Sequence, residues 1–419
     1  MKKQRKTPWS VFLAIILAFI VGNLTGTEHQ LFGIHYITIF DTIGTLFLRS
    51  LTMIVAPLVF SSIVLGIAKV GSDSSFKRLS CKILGFYVLT TMSAILIGLL
   101  LVNLLEPGNV ESLRTLLKGM QGAEPVLSQK TLSFSSLLIS IVPSNIVEAL
   151  AKGEMLSIIF FSILFGYALS RVRHPAAQTL QELFQAFFQT ILQVTNLLMK
   201  TLPLGVFCLV AKVAATTGYS SLASLALFSC TILGGLVLFS CVLIPLLLRT
   251  ISGVSPRRFF TVMWPAFVTA FSTSSSAASL PVTMDCLEKR GGISNRICGL
   301  VVPLGTSLNM SGSALYECVA VLFVAQVYGI DFSFASQVVF IFVALLTAMG
   351  IAGIPSASLL AVMMILRAFD LPVEGIGLFL AVDRILDMFR TTVNVISDSC
   401  CAVLVAKSEG ERVLEKEPS

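Results

Sequence analysis

The sixteen residues from Asp383 to Asp398, DRILDMFRTTVNVISD, carry three Asp, two Arg and one Asn in a chain that is otherwise strongly apolar. Carboxylates and guanidinium groups at this density can hold ions and charged small molecules, and an Arg beside an Asp can meet the opposite charges of a zwitterion. On an α-helix advancing about 100° per residue, Asp383, Asp387, Arg390, Asn394 and Asp398 fall at roughly 0, 40, 340, 20 and 60°, with Thr391 near 80°. These six residues share one narrow wedge, and Ile385, Leu386, Phe389, Val393 and Val395 occupy the rest of the surface. Such a stripe faces either water or a binding cavity. Because Arg390 lies one turn after Asp387 and one before Asn394, a purely structural ion pair is a further reading.

Composition decides where the stripe must sit. Of the 419 residues, 55% are hydrophobic and 12% charged, and the mean hydropathy is +0.91, values of the membrane class rather than the soluble one. An ionisable group within hydrocarbon is costly unless it is paired or faces an aqueous cavity, so a charged stripe there points to a site. The net charge of +7 could suggest nucleic acid, but the basic residues are dispersed among short connections with no aromatic-interleaved patch. They report topology instead. Lys2, Lys3, Arg5 and Lys6 precede a first apolar run without a small-residue cleavage site, which reads as a transmembrane helix starting in the cytoplasm. Keeping the later basic clusters inside (Lys69 to Lys82, Arg171 and Arg173, Arg249 to Arg258, Lys289 to Arg296, and the tail from Lys407) places spans near 9–24, 39–68, 80–105, 134–170, 178–213 and 222–248. Pro143 and Gly153 are expected to break the fourth.

Beyond residue 250 the pattern changes. The apolar segment 259–284 has basic clusters on both flanks, so it is expected to enter from the cytoplasm and return; its centre, FSTSSSAASLP (271–281), ends at Pro281, where the helix should be interrupted. The segment 336–366 is similar, with AMGIAGIPSAS (348–358) at its centre. Broken backbone at membrane depth is tolerated where it lines a cavity or is buried in protein. Each broken segment precedes a helix with polar content, 297–325 and 376–406, and the two halves start from opposite sides, the inverted-repeat pattern of secondary transporters. A further break is expected in PLGTSLNMSGS (303–313), where Pro303, Gly305 and Gly312 free carbonyls and Ser307, Asn309, Ser311 and Ser313 add oxygens suited to a monovalent cation. An ordinary kink with hydroxyls bonded back to the helix is the alternative.

Other chemistries find little support. Nine Cys without a CxxC pair suggest neither zinc nor a disulfide framework. No GxxxxGK[ST] loop is present. A serine hydrolase would need a His near the serine run, and the three His lie elsewhere, so the chain is not expected to be an enzyme.

TSSSAASLPVTM (273–284), PLGTSLNMSGSALYE (303–317), AGIPSAS (352–358) and DRILDMFRTTVNVISDS (383–399), with TMIVAPLVFSSIVLGI (52–67), resemble the hairpin tips, the NMDGT segment, the last helix and the second span of the dicarboxylate/amino acid:cation symporters, which include the glutamate/aspartate symporters. The resemblance implies an all-α integral membrane protein of eight transmembrane helices plus two re-entrant helical hairpins, an elevator-type transporter assembled as a homotrimer in the inner (plasma) membrane, with both termini cytoplasmic. Residues 1–78 and 107–218 would form the scaffold, 79–106 and 219–407 the moving transport domain, and 408–419 a cytoplasmic tail. Asp387 would take the substrate ammonium and Arg390 its side-chain carboxylate, with Ser274, Ser276, Ser313, Ile354, Thr391 and Asn394 completing the substrate site. Gly305, Asn309, Asn394 and Asp398 match a first sodium site; Ser307, Met310, Ala348, Met349 and Ile351 match a second; Tyr87, Thr90, Thr91, Asn309 and Ser311 match a third.

One departure bears on that third site. The family reads NMDGT where this chain reads NMSGS, so a hydroxyl, Ser311, replaces a carboxylate, and Glu317 stands where proton-coupled members carry Glu. Coupling is therefore expected to use fewer sodium ions, or protons, with no organic cofactor. The expected activity is symport of L-glutamate or L-aspartate. The alternatives are a neutral amino-acid or C4-dicarboxylate symporter of the same fold, or an anion-conducting channel. Arg390 weighs against a neutral substrate and Asp387 against a dicarboxylate, since each would leave a charge unpaired.

Overall fold

A chain surrounded by hydrocarbon has no water to take up its peptide N–H and C=O groups, so long apolar runs fold as helices that satisfy them internally. The computed structural model describes residues 7–26, 29–31, 34–70, 74–109, 142–152, 155–217, 221–330, 332–349 and 357–414, and among them it is nearly all helical; the only strands are the antiparallel pair Gln30–Leu31 and Ile34–His35. The helices are α1 (Thr7–Thr25), α2 (Tyr36–Val70), α3 (Ser74–Leu105), α4 (Ile146–Lys152), α5 (Met155–Arg171), α6 (Pro175–Leu198) and α7 (Leu202–Thr217). Then come α8 (Ser221–Leu238, continuing through π-helical turns to Ser252), α9 (Pro256–Thr273), α10 (Ser276–Asp285), α11 (Asn295–Leu308), α12 (Ser311–Val327), α13 (Phe334–Ala348), α14 (Ala357–Ala368) and α15 (Leu380–Ser408).

Among the described residues, four helical stretches are long and apolar enough to cross a membrane: Cys81–Leu105, Leu225–Ser252, Asn295–Val327 and Leu380–Ser408. They divide by burial. The most apolar windows of Asn295–Val327 and Leu380–Ser408 are 94% and 83% buried, against 33% for Cys81–Leu105, so the helices richest in polar groups lie at the centre and α3 turns Leu96, Leu100 and Leu104 outward. α15 packs on α3, α8, α9, α11 and α12, while α1 lies along α7 and α2 packs on α5, α6 and α7. Close approach of α1 to α7 depends on Gly22, where a Cβ would sit 2.5 Å from the Ala211 carbonyl oxygen. Small residues of this kind let membrane helices touch backbone to backbone. At the end of α15, Lys82 of α3 donates to the Ser408 carbonyl at 3.1 Å and to Glu409; that hydrogen bond holds the Glu409 carboxyl below the usual carboxylate range.

Two expectations are revised, and a third is only partly described. The run 178–213 is two helices, α6 and α7, joined by a 3₁₀ turn at Met199–Thr201, because Pro203 follows and offers no N–H to a continuing helix. Residues 134–170 contain α4 and α5, separated next to Gly153, while 134–141 lie outside the described residues. The serine-rich break falls at Ser274 and Ser275, not at Pro281. Ser274 adopts left-handed φ of 50° and Ser275 caps α10 by accepting from the Ala278 N–H, whereas Pro281 sits inside α10. The hydroxyl of Ser275 offers the backbone a partner that ends one helix and starts the next. The break expected in 303–313 falls at Asn309 and Met310, between α11 and α12; residues 350–356, the centre of the second broken segment, lie outside the described residues.

Gly22→Val forces α1 away from α7 and is expected to cost about 1–3 kcal/mol, whereas Gly85→Ala, whose Cβ meets nothing within 4 Å, is expected to be neutral or stabilising. Thermal melts in detergent check this; equal melting points for the two variants would show that the α1–α7 approach carries no strain.

Candidate functional site

Burying the polar stripe of α15 requires that its charges cancel, and they do so along the helix itself. Arg390 is completely buried. Its Nη1 donates to Asp383 Oδ1 at 2.8 Å and its Nη2 to Asp387 Oδ1 at 2.9 Å. Arg384 Nη1 approaches the other Asp387 oxygen, Oδ2, at 3.2 Å. The result is an alternating row, Arg384, Asp387, Arg390, Asp383, whose formal charges sum to zero. The guanidinium of Arg390 also lies 3.7 Å from the Tyr316 ring centroid on α12, a cation–π contact in a desolvated setting. Phe228 and Phe379 also pack on that ring edge to face, at 6.4 and 6.1 Å between centroids.

One turn and a half further on, α15 meets the break between α11 and α12. Two non-helical residues, Asn309 and Met310, expose the first N–H groups of α12. Asn394 Oδ1 accepts from the N–H of Gly312 at 2.8 Å and of Ser313 at 3.2 Å, and its Nδ2 donates to Ser313 Oγ at 3.1 Å. A helix start that lacks a side-chain cap of its own is thus capped by another helix. Below it, Asn309 Nδ2 donates to Asp398 Oδ1 at 2.9 Å. Asp398 is 1% exposed and has no ion pair among the described residues. Gly305 makes room for it, since a Cβ there would stand 2.4 Å from Asp398 Oδ1. A buried carboxyl group that receives one amide N–H and has no basic side chain against it among the described residues is a candidate for holding a cation.

The comparison with protein families bears on these residues together. The family model described as "Sodium:dicarboxylate symporter family" matches residues 9–408. The chain belongs to that family. Its members are membrane transporters, not enzymes. Relatives include the proton/sodium-glutamate symport protein of Geobacillus stearothermophilus, 34% identical over 97% of this chain and 96% of the relative. The proton/glutamate-aspartate symporter of Escherichia coli (strain K12) is 32% identical over 96% and 92%. The C4-dicarboxylate transport protein of Bacillus subtilis (strain 168) is 31% identical over 98% and 95%.

Within this family member the residues singled out in the sequence are brought together unevenly. Asp387, Arg390, Asn394 and Ser313 converge as described; Thr391 is buried beside them on α15. Ser274 and Ser276 are buried at the break between α9 and α10, a region held to α15 by Phe271 and Phe389, 5.2 Å apart edge to face. Ile354 and Ile351 lie outside the described residues. Ser307 and Met310 flank the α11–α12 break, and Ala348 and Met349 end α13; no hydrogen bond among the described residues joins the two pairs. Of the set Tyr87, Thr90, Thr91, Asn309 and Ser311, the last four are joined by hydrogen bonds. Asn309 Oδ1 accepts from Thr90 at 2.9 Å, Thr91 at 3.2 Å and Ser311 at 3.3 Å, and Tyr87 donates to the Val301 carbonyl. Glu317 is fully buried, with neither carboxyl oxygen hydrogen-bonded among the described residues.

Three participants escaped the sequence reading, and a fourth was named without a role. Arg384 lies roughly 100° round the helical wheel, just outside the wedge, yet its long side chain reaches Asp387. Asp383 was on the stripe without a role, and it takes the second nitrogen of Arg390. Tyr316 and Ser397 carry no sequence signal, although Ser397 Oγ lies 2.9 Å from Ser311 Oγ.

Arg390→Gln leaves Asp383 and Asp387 with no guanidinium between them, and removing one partner of a buried ion pair costs about 3–5 kcal/mol. Thermal unfolding of the purified protein is expected to fall accordingly, and adding Asp383→Asn to Arg390→Gln is expected to restore part of the loss. Strictly additive effects would show that the row of charges does not act as a unit.

Proposed function

We propose that this chain is a secondary active symporter of acidic amino acids, L-glutamate or L-aspartate, driven by a sodium or proton gradient across the cell's plasma membrane. The observation that carries the reading is the buried Asp387–Arg390 pair at the middle of α15. A substrate with one ammonium and a side-chain carboxylate can exchange with it, charge for charge: its carboxylate takes the fork of Arg390, and its ammonium takes Asp387. Each half of the pair then keeps an opposite charge throughout, which lowers the desolvation cost of opening it. Ser274, Ser276, Ser313, Ile354, Thr391 and Asn394 would hold the remaining polar groups. The names of the glutamate and glutamate-aspartate relatives support this substrate class.

A first sodium ion would be held by Gly305, Asn309, Asn394 and Asp398, because Asp398 is a buried carboxyl group without a basic partner among the described residues. The second set, Ser307, Met310, Ala348, Met349 and Ile351, would hold another ion. The third is different. Thr90, Thr91, Asn309, Ser311 and Ser397 already satisfy one another through hydrogen bonds, and a ring of neutral hydroxyls attracts a cation far less than a carboxylate does. We assign that position to hydrogen bonding instead of sodium, and the remaining coupling to Glu317, a buried carboxyl suited to carrying a proton.

The movement follows the same division. Segments 79–106 and 219–407, which hold every residue of the site, would travel as one unit against a scaffold of 1–78 and 107–218, in a homotrimer of eight spans and two re-entrant hairpins per subunit with both termini cytoplasmic. Charge cancellation within α15 gives the unit a way to cross unloaded.

Proteoliposomes with imposed gradients test the reading. Labelled aspartate or glutamate is expected to accumulate against its gradient when sodium or protons are directed inward, and to equilibrate without them; conductance with no accumulation would identify an anion channel instead. Glu317→Gln is expected to remove the pH dependence of uptake, and Ser311→Asp to increase the dependence on sodium. Uptake indifferent to Glu317→Gln and steeply multi-sodium in the parent protein would refute the assignment of coupling.

A further inference from the structure

A cavity of about 330 Å³ lies between the end of α3, the end of α12 and the start of α13, and none of its described lining residues belongs to α15. The proposed transport reaction gives it no role. Its walls are fixed. Gly108 lets the turn after α3 press on α12, where a Cβ would stand 2.5 Å from the Phe323 carbonyl oxygen. The Gly108 N–H donates to Gln326 Oε1 at 3.0 Å, and Gln326 Nε2 donates to the Val102 carbonyl at 3.1 Å. On α13, Gln337 Oε1 accepts from Asn103 Nδ2 at 3.2 Å, and Gln337 Nε2 donates to the Phe332 carbonyl at 3.3 Å. Both glutamines thus use the two ends of their amides to hold α3, α12 and the start of α13 in place.

The polar atoms left over are of one kind. Glu106 Oε2 accepts from Asn109 Nδ2 at 2.8 Å, whereas Glu106 Oε1, Asn103 Oδ1 and Asn109 Oδ1 have no donor among the described residues. No basic side chain lines the cavity, and Glu106 makes no ion pair among the described residues. Acceptors around one negative charge call for a cation that brings its own N–H donors. A bare divalent metal ion is poorly matched, since it takes six or more oxygens at short range and no three His, Cys, Asp or Glu side chains gather among the described residues. Leu322 and Ala325 add buried apolar surface to the lining, and Phe332 adds a ring packed against Phe340 and Phe369 at 6.1 and 5.3 Å between centroids. A mixed lining of this kind, with a volume at the lower end of the range of about 300–1,000 Å³ for small-molecule pockets, suits a ligand with a carbon body and one polar end.

We infer that this cavity binds a small organic ammonium ion, a primary amine on a short apolar body, at a site separate from the substrate site on α15. Glu106 takes the charge, the amide oxygens of Asn103 and Asn109 take the remaining N–H donors, and Phe332, Leu322 and Ala325 cover the carbon chain. An occupant bridges α3, α12 and α13, the last being the helix whose end carries Ala348 and Met349 of the second proposed ion site.

Calorimetric titration of the full-length protein with n-butylammonium chloride, in micelles of an uncharged detergent, tests the assignment. Binding is expected to saturate, and Glu106→Gln to weaken it by roughly tenfold or more, the effect of losing a charged hydrogen-bond partner. Tetramethylammonium has the same charge and no N–H, and is expected to bind more weakly than n-butylammonium by a similar factor. Saturating aspartate is expected to leave n-butylammonium binding unchanged. An absence of saturable binding overturns the inference, and so does equal binding by Glu106→Gln or by tetramethylammonium. Displacement by aspartate overturns it too, by placing the amine on α15. Each of these results leaves the proposed transport activity standing. Should Glu106→Gln not fold, the comparison of the two ammonium ions and the aspartate competition on the parent protein decide.

Discussion

Everything in the centre of this molecule depends on cancelling charge where water cannot reach. Arg390 is the hub: completely buried, bound to two carboxylates of its own helix and lying over an aromatic ring. A single guanidinium in such a place would be prohibitive, but an alternating row of four charges is self-consistent, and each member is the partner that allows the next to be buried. The helix that carries the row must therefore be continuous through it, and α15 runs unbroken from Leu380 to Ser408. Its neighbours are the ones that break. Their interruptions deliver backbone N–H groups and small hydroxyls to a rigid line of side chains.

The α11–α12 break shows how the two kinds of element fit. Leaving the helix for two residues frees donors at the start of α12, and Asn394 collects them from across the interface. The same interruption turns Asn309 toward Asp398, and Gly305 and Gly312 make the approach possible: a Cβ at Gly312 would stand 2.5 Å from the Arg390 carbonyl oxygen. Side chain, backbone and absence of side chain are thus interlocked. None of these positions can change size or polarity without disturbing its neighbours.

Much of this was legible in the sequence because the polar stripe repeats at helical spacing, a signal that survives in any apolar background. The convergence of Asp387, Arg390, Asn394 and Asp398 on one face follows from the spacing alone, and the breaks at Ser274 and Ser275 and at Asn309 and Met310 fall within runs whose Gly, Ser and Pro content announced them. What the pattern misplaced was local. Proline marked the expected interruption at Pro281, but Pro281 lies within α10, whereas Ser275 starts that helix by accepting from the Ala278 N–H. Arg384 was missed for a related reason. A helical wheel places Cβ atoms, and an arginine's functional group lies several bonds away, so a residue at the margin of the wedge can still reach its centre.

The hydroxyl pair Ser311 and Ser397 carries the reasoning one step further. With a carboxylate at 311, the oxygens of Thr90, Thr91 and Asn309 would surround a buried negative charge, and that charge would require a cation before the site could close. With serine there, the same oxygens find donors among themselves, and Ser397 on α15 supplies the extra one at 2.9 Å. A hydrogen-bonded hydroxyl cluster is stable whether or not an ion is present, since each buried polar group already has its partner. Closing α11 and α12 onto α3 and α15 is then a property of the folded chain instead of an event that awaits an ion. On the proposed reading, part of the ordering that a bound cation would supply has been moved into the covalent sequence, and the driving gradient is left to act through the positions that keep an acid, Asp398 and Glu317.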